Sequence, residues 1–135
     1  MLILDTHIWL WWIAQDIRLP RWLATRIADP ERPLALSAAS VYELSLGVGR
    51  GRIALNRPLD DWLQQATFEA GIQVLPVTTR IASLAGQLPR HHLDPLDRLI
   101  IATALVHQAQ LASLDDKFPL YAELTRILIQ RDNAP

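Results

Sequence analysis

The chain has 135 residues, half of them hydrophobic, with 13 Lys and Arg against 14 Asp and Glu for a net charge of −1. That content suits one globular domain over 1–135 with a sizeable core and argues against disorder. The lack of cysteine excludes a disulfide framework and a zinc–thiolate centre, and near-neutral charge argues against a strong unspecific grip on nucleic acid, without excluding a nuclease.

In chain order, Leu2–Leu4 reads as a short buried strand, with Asp5 and Thr6 capping a helix over 7–14. The apolar N-terminus has no basic leader and Asp5 interrupts it, so a signal peptide is not expected. No run reaches the roughly 20 apolar residues of a membrane helix. The expectation is a soluble, cytoplasmic protein with no membrane partner. After Pro20, residues Trp22, Leu23, Arg26 and Ile27 fall at helical spacing, closed by the turn-like Asp29 and Pro30. A second apolar run at 34–36 follows. Ser37 and Ser40 can each cap the helix carrying Val41, Leu44, Leu46 and Val48, which Gly47 and Gly49 weaken.

Beyond Pro58, Leu59, Trp62, Leu63, Ala66 and Ala70 share one helix face, and Gly71 is a natural stop. Ile72–Leu75 reads as strand. Thr78 and Thr79 open a helical stretch over 81–87, broken by Pro89. Asp94 and Pro95 start a long helix to about Gln108, 111–114 is a further strand, and the partly alternating, β-branched 124–130 is expected to be the last. Strands separated by helices imply an α/β fold, a parallel sheet with helices on both faces.

Four acids stand where such a fold gathers ligands, at the carboxyl ends of strands or in the first turns of helices: Asp5, Glu43, Asp97 and Asp115. Each has a bland reading. Asp5 can be an N-cap, and Glu43 completes a capping box with Ser40. Asp94 before Pro95 is a strong cap, and Asp116 can take the place of Asp115. Together, converging carboxylates repel one another and raise each other's pKa unless a hard cation such as Mg²⁺ or Mn²⁺ sits among them. The four histidines lack zinc spacing: His91 and His92 belong to an exposed loop, and His7 makes a local hydrogen bond more readily than a substrate contact. Arg50 and Arg52, in the glycine-spaced GVGRGRI, are the better candidates for phosphate contact. Trp9, Trp12 and Trp62 are expected in the core, and Trp11 or Trp22, if exposed, at a partner surface.

The ordered set LDTHIWLWW, SAASVYELSLGVGRGRI, HHLDPLDRLIIATAL and LASLDDKFPLY resembles a PIN-domain ribonuclease of the VapC toxin type. The resemblance covers nearly the whole chain. It implies a three-layer α/β/α sandwich around a mainly parallel sheet, Mg²⁺- or Mn²⁺-dependent cleavage of RNA, homodimerisation, and inhibition by a small antitoxin in a toxin–antitoxin pair. Carried onto matching positions, it implies catalytic and metal-holding roles for Asp5, Glu43, Asp97 and Asp115. Supporting or substrate-binding roles fall to Ser113, Asp94, Asp116, Arg50, Arg52 and Arg98. Two alternatives stay open: a catalytically silent PIN-like module that binds RNA or protein, and a phosphatase using Asp5 as nucleophile. Against the second, His7 stands where that chemistry would place another Asp.

Overall fold

The computed structural model describes residues 1–91 and 94–131. Its sheet contains β1 (Leu2–Leu4), β2 (Leu34–Ser37), β3 (Ile72–Leu75) and β4 (Gln110–Ala112), ordered β3-β2-β1-β4 with every pairing parallel. The helices are α1 (Thr6–Ala14), α2 (Arg21–Ile27), α3 (Ala38–Gly49), α4 (Leu59–Ala66), α5 (Thr79–Gln87) and α6 (Pro95–His107). Two short 3₁₀ turns follow at Phe118–Leu120 and Ala122–Leu124.

Side-chain alternation along the strands divides the core in two. Leu2, Leu4, Leu36 and Ala112 point to one face and pack with Trp9, Leu23, Leu44 and Ala66 from the helices between β1 and β3. Ile3, Ala35 and Leu111 point to the other and pack with Ile81 and Ala85 of α5 and the Ile100–Ile101 pair of α6. Helices therefore cover both faces, which is why β1 is apolar throughout and β2 is apolar up to Ser37. No helix among the described residues is long and apolar enough to cross a membrane.

Local differences from the sequence-based expectations have physical causes. Ser37 is the N-cap of α3, its hydroxyl accepting from the Ala39 N–H at 3.1 Å, so the helix starts three residues earlier than a Ser40 cap requires. Ser40 is fully buried inside that helix, and no capping box joins it to Glu43. The helix after Pro58 ends at Ala66, because Thr67 leaves helical geometry (φ −120°, ψ −84°) and its hydroxyl bonds back to the Leu63 carbonyl at 2.6 Å. Gly71 then supplies a positive φ of 71° at the entrance to β3. The expected strand over 124–130 reduces to one parallel bridge between Leu111 and Leu128. The Leu128 N–H turns back to the Leu124 carbonyl (2.9 Å), so only the stretch around Leu128 reaches the sheet.

Candidate active site

Register places the site. Leu4 pairs with Leu36 on one side and Ala112 on the other, so Asp5, Ser37 and Ser113 leave the sheet level with one another at its carboxyl edge. The Asp5 N–H still donates to the Ala112 carbonyl at 3.0 Å. Helix α1 begins immediately after β1 and α3 immediately after β2, so both N-termini lie at that edge. Only Gln108 and Ala109 separate α6 from β4, with Gln108 in a left-handed turn (φ 50°), so α6 runs back against the strand direction and its N-terminus also lies there. Three positively polarised helix ends thus face the region where the acids stand.

Asp5, Glu43, Asp97 and Asp115 line one cavity of about 260 Å³, together with Asp94, Thr6 and His7. Asp5 is 7% exposed and its carboxylate caps α1 by accepting from the Ile8 N–H at 2.9 Å. Burial is the main reason its pKa is pushed up to about 6; hydrogen bonding from Ser113 and Ile8 opposes this, and the Asp115 charge adds to it. Asp97, in the first turn of α6, is pushed up to about 7, first by burial and then by repulsion from Asp94, Glu43, Asp115 and Asp5. The four acids therefore sense one another across the cavity.

The supporting residues divide by place. Asp94 lines the cavity while capping α6, accepting from the Leu96 N–H at 2.9 Å. The Ser113 hydroxyl accepts from the Asp115 N–H at 3.1 Å and hydrogen-bonds to Asp5, so it ties the ends of β1 and β4 together. Asp116 lines a different, adjoining cavity, whereas Asp115 lines both. Arg50 and Arg52 border a further cavity of about 510 Å³ that shares His7, Glu43 and Asp94 with the acidic one. Arg98 turns elsewhere: its guanidinium donates to the Leu88 and Pro89 carbonyls at 2.7 and 2.9 Å and so braces the end of α5 against α6.

His7 is exposed at the mouth of both cavities, its ring 6.1 Å from that of Trp11, and it makes no side-chain hydrogen bond among the described residues. His91 packs edge-on against Tyr121 at 4.7 Å; the expected loop position of His92 lies outside the described residues. Trp9 is buried, and Trp11, Trp12, Trp22 and Trp62 are half-buried.

Sequence reasoning missed Thr6 and Ser40 as a functional pair. The Thr6 hydroxyl donates to Glu43 Oε1 at 2.6 Å and lies 2.9 Å from the Ser40 hydroxyl, which can donate to it in turn. This chain orients the Glu43 carboxylate. The signal available was a Thr directly after the strand-end Asp, but its partner is 37 residues away.

The donor set is all oxygen apart from His7, and the repulsion on Asp97 is the kind a hard cation relieves. Among the described residues no three carboxylates or imidazoles already converge as a metal-holding group. The residues fit Mg²⁺ or Mn²⁺ in charge and donor type, and gathering round one ion requires their side chains to move.

Residues 2–124 match the PIN domain family. The chain belongs to that family. This PIN-domain protein is 35% identical over 114 residues to Ribonuclease VapC22 of Mycobacterium tuberculosis, covering 84% of the chain and 85% of the relative, and so falls among VapC-type members. Its fold is shared with a chain of VapBC2 from Rickettsia felis bound to a promoter DNA fragment (TM-score 0.66, 17% identity, 91% and 94% coverage). A toxin-antitoxin complex from Klebsiella pneumoniae gives TM-score 0.63 at 18% identity over the same shares. FitAcB from Neisseria gonorrhoeae gives 0.58 at 23%, covering 85% and 88%.

Proposed function

We propose that this PIN-domain protein is a Mg²⁺- or Mn²⁺-dependent endoribonuclease, the toxin of a toxin–antitoxin pair. The observation that carries the reading is the convergence of Asp5, Glu43, Asp97 and Asp115, drawn from four separate segments, on one cavity at the carboxyl edge of the sheet. The relationship to Ribonuclease VapC22 supports RNA as the substrate class. The VapBC2 and Klebsiella structures support a small antitoxin as partner, and homodimerisation belongs to the same proposal.

In the reaction, Asp5 and Asp97 would hold the metal directly, while Glu43 and Asp115 would hold it through water or orient the attacking water. Bound Mg²⁺ or Mn²⁺ supplies a water of lowered pKa and shields the charge of the scissile phosphate. Thr6 fixes Glu43 by its 2.6 Å hydrogen bond, and Ser113 fixes Asp115 relative to Asp5. Water attacks phosphorus in line and the 3′ oxygen leaves, giving 5′-phosphate and 3′-hydroxyl ends. No side chain of the protein needs to form a covalent intermediate.

The test is cleavage of total RNA by the purified chain with and without EDTA. Loss of cleavage on chelation, recovery with Mn²⁺ or Mg²⁺, and 5′-phosphate products are expected. A folded chain that binds no Mn²⁺ by calorimetry and cleaves no RNA would replace this reading with that of a silent RNA- or protein-binding module.

A further inference from the structure

Two unlike cavities flank the acidic one, and each shares part of its wall. On one side the Arg50 and Arg52 cavity shares His7, Glu43 and Asp94. Both arginines are exposed, and their guanidinium groups make no hydrogen bond or ion pair among the described residues. On the other side a cavity of about 310 Å³ shares Leu114 and Asp115, and its apolar wall includes Trp22, Pro119 and Leu128. The three form a single trench, basic at one end, acidic in the middle and aromatic at the other.

Chemistry assigns the two arms to different parts of one polymer. Uncommitted guanidinium groups beside a phosphate-cutting centre suit a sugar–phosphate backbone. The other arm suits something flat and neutral. It carries Asp115 and Asp116 against the single cation Arg131, a balance that disfavours phosphate, yet it offers a half-buried indole and an apolar lip at Leu114, which is 40% exposed beside the carboxylates. The Trp22 ring also has the Arg26 guanidinium at 6.0 Å, a cation–π pairing of the sort found beside stacked bases.

We propose, resting on the ribonuclease reading, that the Trp22 cavity is a base subsite: one base beside the scissile phosphate swings out and stacks there, while the backbone on the other side runs over Arg50 and Arg52. A paired base cannot leave its stack without an unstacking cost, so duplex RNA is disfavoured at this trench.

Binding, read by fluorescence anisotropy with Ca²⁺ in place of Mg²⁺, tests this independently of cleavage. The probes are short labelled homopolymers of A, C, G and U, a fully abasic oligomer of equal length, and annealed A–U duplex. The intact chain is expected to bind at least one base-bearing strand about tenfold or more tighter than the abasic one, and to bind the duplex more weakly than its preferred strand. Trp22→Ala removes the base-dependent part, and Leu114→Ser, at an exposed site, diminishes it if Trp22→Ala does not fold. Arg50→Gln with Arg52→Gln weakens base-bearing and abasic strands alike and flattens the salt dependence.

Equal binding of abasic and base-bearing strands by the intact chain overturns the proposal, as does an undiminished difference in folded Trp22→Ala or, failing that, in Leu114→Ser. A Trp22→Ala variant that binds RNA normally but no longer captures its co-expressed antitoxin overturns it too, marking the arm as a protein contact. RNA cleavage without base sensitivity removes this subsite and leaves the nuclease reading; base-sensitive binding without cleavage in Mg²⁺ does the reverse.

Discussion

Two cavities of this PIN-domain protein make an instructive pair. A cavity of about 640 Å³ lies against the end of α1 and the loop before α4, lined by Ile13, Arg57, Trp62, Gln65 and Glu69 among others. The acidic cavity has less than half that volume, about 260 Å³. Volume and electrostatics therefore point to different places. The larger cavity mixes a cation, an amide and a carboxylate on helix and loop surface. The smaller one sits at the strand edge under three helix N-termini and holds Asp5 and Asp97 at raised pKa values. Carboxylates kept close at an electrostatic cost are a better mark of chemistry than empty space.

The contrast is broken or upheld most forcefully by removing charge from the acidic cavity. Asp97→Asn and Asp5→Asn are each expected to lower single-turnover RNA cleavage by roughly 10³-fold. The double variant should fall little further, because the acids act as one unit. Cleavage within tenfold of the unmodified chain in both single variants would strip the acidic cavity of its distinction.

The next effect concerns a residue that holds no metal itself. Thr6→Val removes the donor to Glu43 and leaves the buried Ser40 hydroxyl without its partner. Cleavage should drop by roughly 10–100-fold and stability by about 1–2 kcal/mol. Thr6→Ser, which keeps the hydroxyl, should recover most of the activity. Recovery is the informative readout, since a purely packing role would favour Val over Ser at a site this buried.

Ionisation supplies a subtler test. The folded chain holds Asp5 and Asp97 at about 6 and about 7, against 3.8 when unfolded. Between those values the folded state binds more protons than the unfolded one, so these groups make stability fall as pH rises from about 4 to about 7. Thermal melts in EDTA should show that decline, and Asp97→Asn should flatten it. Saturating Mn²⁺ should reverse it by favouring the ionised acids. A melting temperature that rises across this window in EDTA and is unchanged by Asp97→Asn would contradict the raised pKa values of the buried acids.

Much of this arrangement was legible before any coordinates, for local reasons. Asp5 follows three apolar residues, and Asp97 lies in the first turn after an Asp-Pro start, so chain-neighbour chemistry alone places both at the carboxyl edge. Strands at 2–4, 34–36 and 72–75 were likewise readable from short apolar runs, and the expected 111–114 overlaps β4 at Gln110–Ala112, which starts one residue earlier and ends two earlier. What escaped was non-local. The pairing of Thr6 with Glu43 spans 37 residues and needs α1 and α3 to lie side by side. Ser37 and Ser40 offer equally good caps on paper, and only the position of β2, which runs through Ser37, decides between them. The stretch 124–130 has a strand's alternation, but whether it pairs depends on a 3₁₀ turn and the three-residue β4 beside it.

The smallest expected effect is the control on the larger cavity. Gln65 and Glu69 are exposed. Gln65→Ala and Glu69→Gln should therefore leave RNA cleavage within about twofold, since neither residue lines the acidic cavity or the two beside it. Stability should stay within about 0.5 kcal/mol, as for ordinary surface substitutions. The pair is worth making because it is where volume and electrostatics give opposite forecasts. If Glu69→Gln slowed cleavage as much as Asp97→Asn while the fold stayed intact, the chemistry would belong to the larger cavity. The raised pKa values at the strand edge would then describe a poorly solvated set of helix caps.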